Sequence, residues 1–161
     1  MNHEKPCLDP HPLSEYVEWA GMRNREPILN VLKEKLPKES GAILEIASGS
    51  GMHINYFAPH FKHLLFQPSD QDTEVFDNIK NISAELGNDN VYDPIYIDLT
   101  EPKTWVNLDK KNAYSAIFCI NIFHVAPIDI ADGMMECTAE LLSENGCLLI
   151  YGPFKVDGAF K

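Results

Sequence analysis

The sequence predicts a single α/β domain built on a doubly wound, mostly parallel sheet with strands in the order 3-2-1-4-5. Three observations carry that expectation. Apolar runs too short for helices alternate with segments whose apolar residues recur at helical spacing. The polar residues of the strand-like runs gather at their carboxyl ends, where an open α/β sheet keeps its ligand crevice. The first such run, Ala42 to Ile46, stops at Ser48-Gly-Ser-Gly51 before an apolar pattern resumes over Met52 to Phe57. A turn of small residues therefore joins a strand's carboxyl end to a helix's amino end.

A chain of 161 residues with 45% hydrophobic content suits one domain with a sizeable core. Its 13 Lys+Arg stand against 24 Asp+Glu, and no basic cluster offsets that balance. Electrostatic binding to a nucleic-acid backbone or an anionic membrane is thereby disfavoured. Met1 to Asp9 has no apolar signal core and no stretch approaches a membrane span, so a cytoplasmic protein is expected. Cys7, Cys119, Cys137 and Cys147 form no C-x-x-C pair and read as free buried thiols. His60 and His63 lack a Cys or acidic partner nearby, which argues against a metal site.

Residues 1–37 read as N-terminal helices and 38–161 as the core. Ser14 can cap a helix carrying Tyr16, Val17 and Trp19, and a second helix opens near Pro27 with Ile28, Leu32 and Leu36 before Pro37 ends it. Between them Met22 to Glu26 is polar, either a lid over the crevice or an ordinary exposed connection. Glu45 puts a carboxylate beside the glycine turn. That turn lacks the third small residue of G-x-G-x-x-G, since Ile54 stands there, and no G-x-x-x-x-G-K-[ST] follows, which disfavours dinucleotides and nucleoside triphosphates. The second strand, His63 to Gln67, closes on Pro68-Ser-Asp70. Asp70 lies about twenty residues past the turn, where such folds place the carboxylate that accepts from ribose hydroxyls. The competing role for Asp70, with Asp72, is to cap the next helix. That helix carries Val75, Ile79, Ile82 and Leu86 and stops at Gly87. The third strand, Val91 to Leu99, contains Pro94 and so belongs at an edge, with Asp98 at its end. Tyr114 to His124 forms the fourth strand and delivers Asn121 and His124 to the crevice. A helix from Pro127 turns Ile130, Met134, Cys137 and Leu141 to the sheet and closes at Asn145-Gly146. Cys147 to Pro153 is the fifth strand.

Glu45-Ile-Ala-Ser-Gly-Ser-Gly51 resembles the first motif of the class I S-adenosylmethionine-dependent methyltransferases, an acidic residue followed by glycines at alternate positions, with Ala47 where the pattern has its first glycine. Taken with Asn24-Arg-Glu-Pro-Ile28, Gln67-Pro-Ser-Asp70, Asn121-Ile-Phe-His124 and Tyr151-Gly-Pro-Phe154, the chain resembles the domain-of-unknown-function 938 family over nearly its whole length. The resemblance implies a Rossmann-like class I methyltransferase fold, S-adenosyl-L-methionine as cofactor and an unidentified small-molecule or protein acceptor. By it Glu45, Ala47, Gly49, Gly51, Asp70, Asp98 and Asn121 line the cofactor, Asp98 at the adenine amine, and Arg25 pairs with the methionine carboxylate. His124 is the candidate base for an acceptor that must lose a proton, and Asn121 orients the acceptor or contacts the cofactor. Two other classes stay open: a catalytically silent cofactor-binding or partner-binding domain, and an NAD-dependent oxidoreductase. Class I methyltransferases continue past the fifth strand with a helix and a strand pair, whereas only Phe154 to Lys161 follows here. The expectation is a C-terminally incomplete domain or a homodimer that covers the fifth-strand edge.

Overall fold

The structure, a computed structural model, describes residues 4–121 and 130–152, and the backbone at 155–156 and 159–160. Five parallel strands form one sheet: β1 (Gly41–Ile46), β2 (Leu64–Asp70), β3 (Ile95–Tyr96), β4 (Tyr114–Ile120) and β5 (Leu142–Tyr151), in the order β3-β2-β1-β4-β5. The helices are α1 (Glu15–Lys35), α2 (Met52–Phe57), α3 (Phe76–Leu86), α4 (Lys103–Val106) and α5 (Ile130–Leu141). A separate antiparallel pair, β6 (Lys155–Val156) and β7 (Ala159–Phe160), follows β5. This is the expected doubly wound arrangement, with the order reversing between β1 and β4. Among the described residues no helix is long and apolar enough to cross a membrane.

The central strands β1 and β4 read as nearly continuous apolar runs because both sheet faces are covered there. On β1 the pleat sends Ile43 into one buried cluster, with Ile28, Leu32, Ile54 and Phe57, while Leu44 and Ile46 enter the other, with Trp105, Met134 and Leu141. Glu45 shares the parity of Ile43, so a carboxyl group is driven into the first of these faces at the strand's end. The four positions expected to face the sheet from α5, Ile130, Met134, Cys137 and Leu141, are all buried.

Three boundaries differ from expectation, each for a local reason, and one cysteine differs in burial. α1 is one helix through Pro27, where two helices and a polar connection were expected. An interior proline costs about 3 kcal/mol. That cost is offset on both sides: Ile28, Leu29 and Leu32 are buried, and Asn24, Arg25 and Glu26 all engage α2. The third strand shrinks to Ile95–Tyr96, with an isolated bridge from Phe66 to Val91. Pro94 interrupts the ladder there, and Gln67 Nε2 spans the gap by donating to the carbonyls of Pro68 and Asp93, both at 2.8 Å. α5 ends at Leu141 rather than at Gly146, because Leu142 already pairs with Tyr114 and the register shifts before Cys147 meets Ala116. Gly146 sits in that irregularity, where a Cβ would lie 2.6 Å from Leu142 Cδ1. Finally, Cys119 and Cys137 are buried free thiols as expected, but Cys7 is exposed.

Candidate functional site

The carboxyl ends of β1, β2 and β4 open into a cavity of about 1130 Å³, roofed by α1 and the segment before it. At its floor the chain after β1 leaves the strand with Ala47 at φ 57° and Gly49 at φ 56°, both left-handed. Ala47 therefore holds a left-handed conformation that glycine adopts more readily, at a backbone cost of about 1 kcal/mol. Gly49 N–H donates to Asp70 Oδ2 at 2.9 Å, and Asp72 N–H donates to Asp70 Oδ1 at 2.9 Å. Ser48 accepts from Ser69 N–H at 3.1 Å, and Ser69 Oγ donates to the Glu45 carbonyl at 2.6 Å. The two strand ends are thus laced into one platform. Asp72, not Asp70, caps the following turn by accepting from Glu74 N–H at 3.0 Å, which leaves Asp70 facing the cavity, only 7% exposed.

Glu45 is 2% exposed and its Oε1 has no hydrogen-bond partner among the described residues. Burial pushes its carboxyl up to about 8, against a hydrogen bond from Ser48 that lowers it and together with the nearby Asp70 charge that raises it. Asp70 is also raised, by burial first, with the backbone bonds from Asp72 and Gly49 pulling the other way. On the opposite wall His53 Nε2 meets Asn24 Oδ1 at 2.7 Å. Burial, then the Arg25 charge, lower His53 to about 4, so its imidazole is neutral at physiological pH.

Of the residues singled out from sequence, Glu45, Ala47, Gly49, Asp70 and Asn121 line this cavity. Three others are placed elsewhere. Gly51 caps α2 at φ 80° and lies against α3, where a Cβ would come within 2.9 Å of Ile79 Cγ1. Asp98 is not among the lining residues: its Oδ1 accepts from Thr100 N–H and Oγ1 at 2.9 and 2.6 Å, while Ile97, Leu99 and Thr100 line the wall. Arg25 stacks its guanidinium 4.3 Å from the Tyr56 ring centroid and is likewise outside the lining. His124 lies outside the described residues. Asn121 stands at φ 60° just past β4, its N–H donating to the Tyr151 carbonyl at 2.7 Å.

Sequence reasoning offered Met22 to Glu26 as a lid, of which Asn24 lines the cavity, and missed the rest of the roof. Tyr16, Val17, Ala20 and Asn24 face the cavity, joined by Met52 and His53 of α2 and by Leu8, Pro10 and Pro12 ahead of α1. Positions 17, 20 and 24 repeat at helical spacing, but that signal is shared with any core-facing stripe.

A sequence model described as "Protein of unknown function (DUF938)" matches residues 15–161. Solved structures of similar fold include an O-methyltransferase family protein from Burkholderia thailandensis (17% identity, TM-score 0.70, 89% of this chain and 42% of that one). The CurJ carbon methyltransferase is similar at 17% identity and TM-score 0.69, over 94% of this chain and 43% of that one. Coclaurine N-methyltransferase bound to N-methylheliamine and SAH is similar at 16% identity and TM-score 0.61, over 78% of this chain and 35% of that one. The chain thus spans less than half the length of each of these three, and the likeness establishes the class I methyltransferase fold.

Proposed function

The chain belongs to the family described as a protein of unknown function, DUF938, and from that premise and the chemistry of the crevice we propose that it is an S-adenosylmethionine-dependent methyltransferase. The observation that carries the reading is the Asp70 carboxylate. It ends β2, turns into the cavity and is held against the glycine turn by Gly49 N–H. That is where a doubly wound fold receives the hydroxyls of a ribose at its switch point.

The other residues fit the same ligand. Ile97, Leu99 and Ile130 supply an apolar slot for a purine, with Thr100 at its edge, so the adenine contact falls to these rather than to the Asp98 carboxylate. Gly49 keeps the backbone open to close approach. Glu45 Oε1, buried without a partner, is the kind of group a donor such as an ammonium satisfies. Such a cofactor supplies an already activated methyl group, so the protein's task is placement in a water-poor site. Asn121 holds its place through the bond to the Tyr151 carbonyl, and its side chain is available to orient an acceptor. Among the described lining residues His53 is too weakly basic to take a proton near neutrality, which leaves His124 as the proposed base where the acceptor needs one.

Calorimetric titration with S-adenosylhomocysteine tests the reading. Binding that is weakened in a folded Asp70→Ala variant is expected. Binding of NAD in place of S-adenosylhomocysteine would refute it, and binding without turnover across an acceptor extract would favour a silent cofactor-binding module.

A further inference from the structure

We propose that the methyl acceptor is a small molecule with an apolar body and no negative charge, seated against the N-terminal segment and the first turns of α1. The inference rests on the methyltransferase reading and adds to it the chemistry of the second ligand.

Size comes first. The cavity, at about 1130 Å³, exceeds the roughly 300–1000 Å³ that serves one drug-sized ligand. The platform of β1 and β2 accounts for one ligand, and the wall made by the N-terminal segment and the first turns of α1 is of another character: Leu8, Pro10, Pro12, Tyr16, Val17 and Ala20. Apart from the Tyr16 hydroxyl, these side chains offer no polar group, which suits a hydrocarbon or aromatic body.

Charge selects further. Among the described residues lining the cavity, the acidic ones are Glu45, Asp70 and Asp72, and there is no Lys or Arg. The cations nearest in sequence to the roof are held on aromatic faces instead. Lys5 Nζ lies 5.9 Å from the ring centroids of both Tyr16 and Trp19, Arg23 lies 4.8 Å over Trp19, and Arg25 lies 4.3 Å over Tyr56. The amino end of α1 does not substitute for a cation. Ser14 Oγ accepts from Val17 N–H at 3.2 Å, and Glu15 and Glu18 occupy the first turn. A carboxylate or phosphate on the acceptor would lose its water and find no Lys or Arg among the described lining residues to replace it, with Asp70 and Asp72 in the same cavity. A hydroxyl has no charge to desolvate, and an ammonium finds Asp70 and Asp72 as counter-charges in the same cavity. In transfer, the acceptor's lone pair forms the bond to the methyl carbon, the carbon–sulfur pair returns to sulfur as the sulfonium becomes a thioether, and the acceptor's displaced proton leaves to water or a base.

The test uses the full chain saturated with S-adenosylhomocysteine and three probes of matched shape: 2-phenylethylamine, 2-phenylethanol and phenylacetate, read by saturation-transfer NMR and by competition among them. Failure of S-adenosylhomocysteine to bind would sink the methyltransferase reading before any probe is added. With it bound, the amine or the alcohol is expected to bind about tenfold or more tightly than phenylacetate. Ala20→Lys, which places a cation on the apolar wall, should reverse that order while S-adenosylhomocysteine still binds. Phenylacetate binding as well as the other two, or none of the three binding to the loaded protein, overturns the proposal.

Discussion

Replacing Glu45 by Gln isolates the least ordinary group in this fold, a carboxyl with 2% exposure whose Oε1 has no partner among the described residues. With its folded value near 8 against an ordinary 4.5, Glu45 keeps its proton at neutral pH in the folded chain but loses it on unfolding. The folded state binds more protons than the unfolded state across that window, so its contribution to stability is fully present below about pH 4.5 and is lost as pH rises toward 8. At 1.36 kcal/mol for each pH unit the loss is about 3 kcal/mol by pH 7 and approaches about 5 kcal/mol above pH 8. Gln cannot ionise. The difference between the wild-type and Glu45→Gln stability curves, from urea unfolding at intervals between pH 5 and 9, should therefore grow by a few kcal/mol in favour of the variant. Any fixed cost of fitting the amide cancels in that comparison. A difference that stays constant over the whole range would refute the assignment of a raised Glu45. The same group predicts that binding of a cationic cofactor releases a proton near pH 7, visible as a buffer-dependent enthalpy that disappears in Glu45→Gln.

Other outcomes follow from single distances and dihedrals. Asp70→Ala should weaken S-adenosylhomocysteine by about 1–3 kcal/mol in calorimetry with the fold intact; unchanged affinity would move the ribose contact elsewhere. Ala47→Gly relieves a residue at φ 57° and should raise the unfolding free energy by about 1 kcal/mol at most, since the new glycine gives back part of the gain as chain entropy. Gly51→Ala, at φ 80° with Ile79 Cα 3.2 Å from the added carbon, should lose about 2 kcal/mol or more; a variant as stable as wild type would show that α3 gives way freely. His53 works in the other direction from Glu45. Its folded value near 4 lies below its usual 6.5, so its contribution is present above pH 6.5 and is lost as pH falls toward 4, and His53→Gln should flatten acid unfolding in that interval.

What the sequence made legible was whatever depends on period and on chain neighbours. The apolar stripe of α5 needed only spacing, and α2 was placed over Met52 to Phe57 by its apolar pattern after the glycine turn. Asp70 could be placed because strand, turn and helix lengths fix where β2 must end. What stayed hidden depends on contacts across the fold. Pro27 stops a helix by local rule, yet here Asn24 holds His53, Glu26 accepts from Tyr56 at 2.9 Å and Arg25 covers the same ring, so the helix runs on. Gly49 and Gly51 are equivalent in the motif, but only the distance to Ile79 shows that one faces the cavity and the other a helix. Asp98 could be seen at a strand end, but not that Thr100 would occupy its carboxylate. The protonation of Glu45 was the least accessible of all, because an acidic residue at a strand terminus reads the same whether it is solvated or sealed.

Those cross-fold contacts also decide which parts of the cavity are fixed. The floor is tied by bonds spanning 21 and 24 residues, from Gly49 to Asp70, Ser69 to Ser48 and Ser69 to Glu45. The wall along α1 is tied to α2 by the Asn24–His53 bond, 29 residues apart, and by Gly21, where a Cβ would lie 2.5 Å from Met52 Sδ. Residues 8–13 differ: among the described residues their hydrogen bonds are local, from His11 N–H to Asp9, from Leu13 N–H to the His11 ring and from Ser14 to the Asp9 carbonyl. Local bonds hold a segment's shape without holding it to the fold, and segments of that kind open at lower free energy than those bound across the core. The continuous α1 through Pro27 is thus what makes Val17, Ala20 and Asn24 a fixed wall rather than a moving lid. The stretch carrying Leu8, Pro10 and Pro12 is the part of the described roof held by local bonds, and amide exchange there faster than at Ala20 is the expected signature.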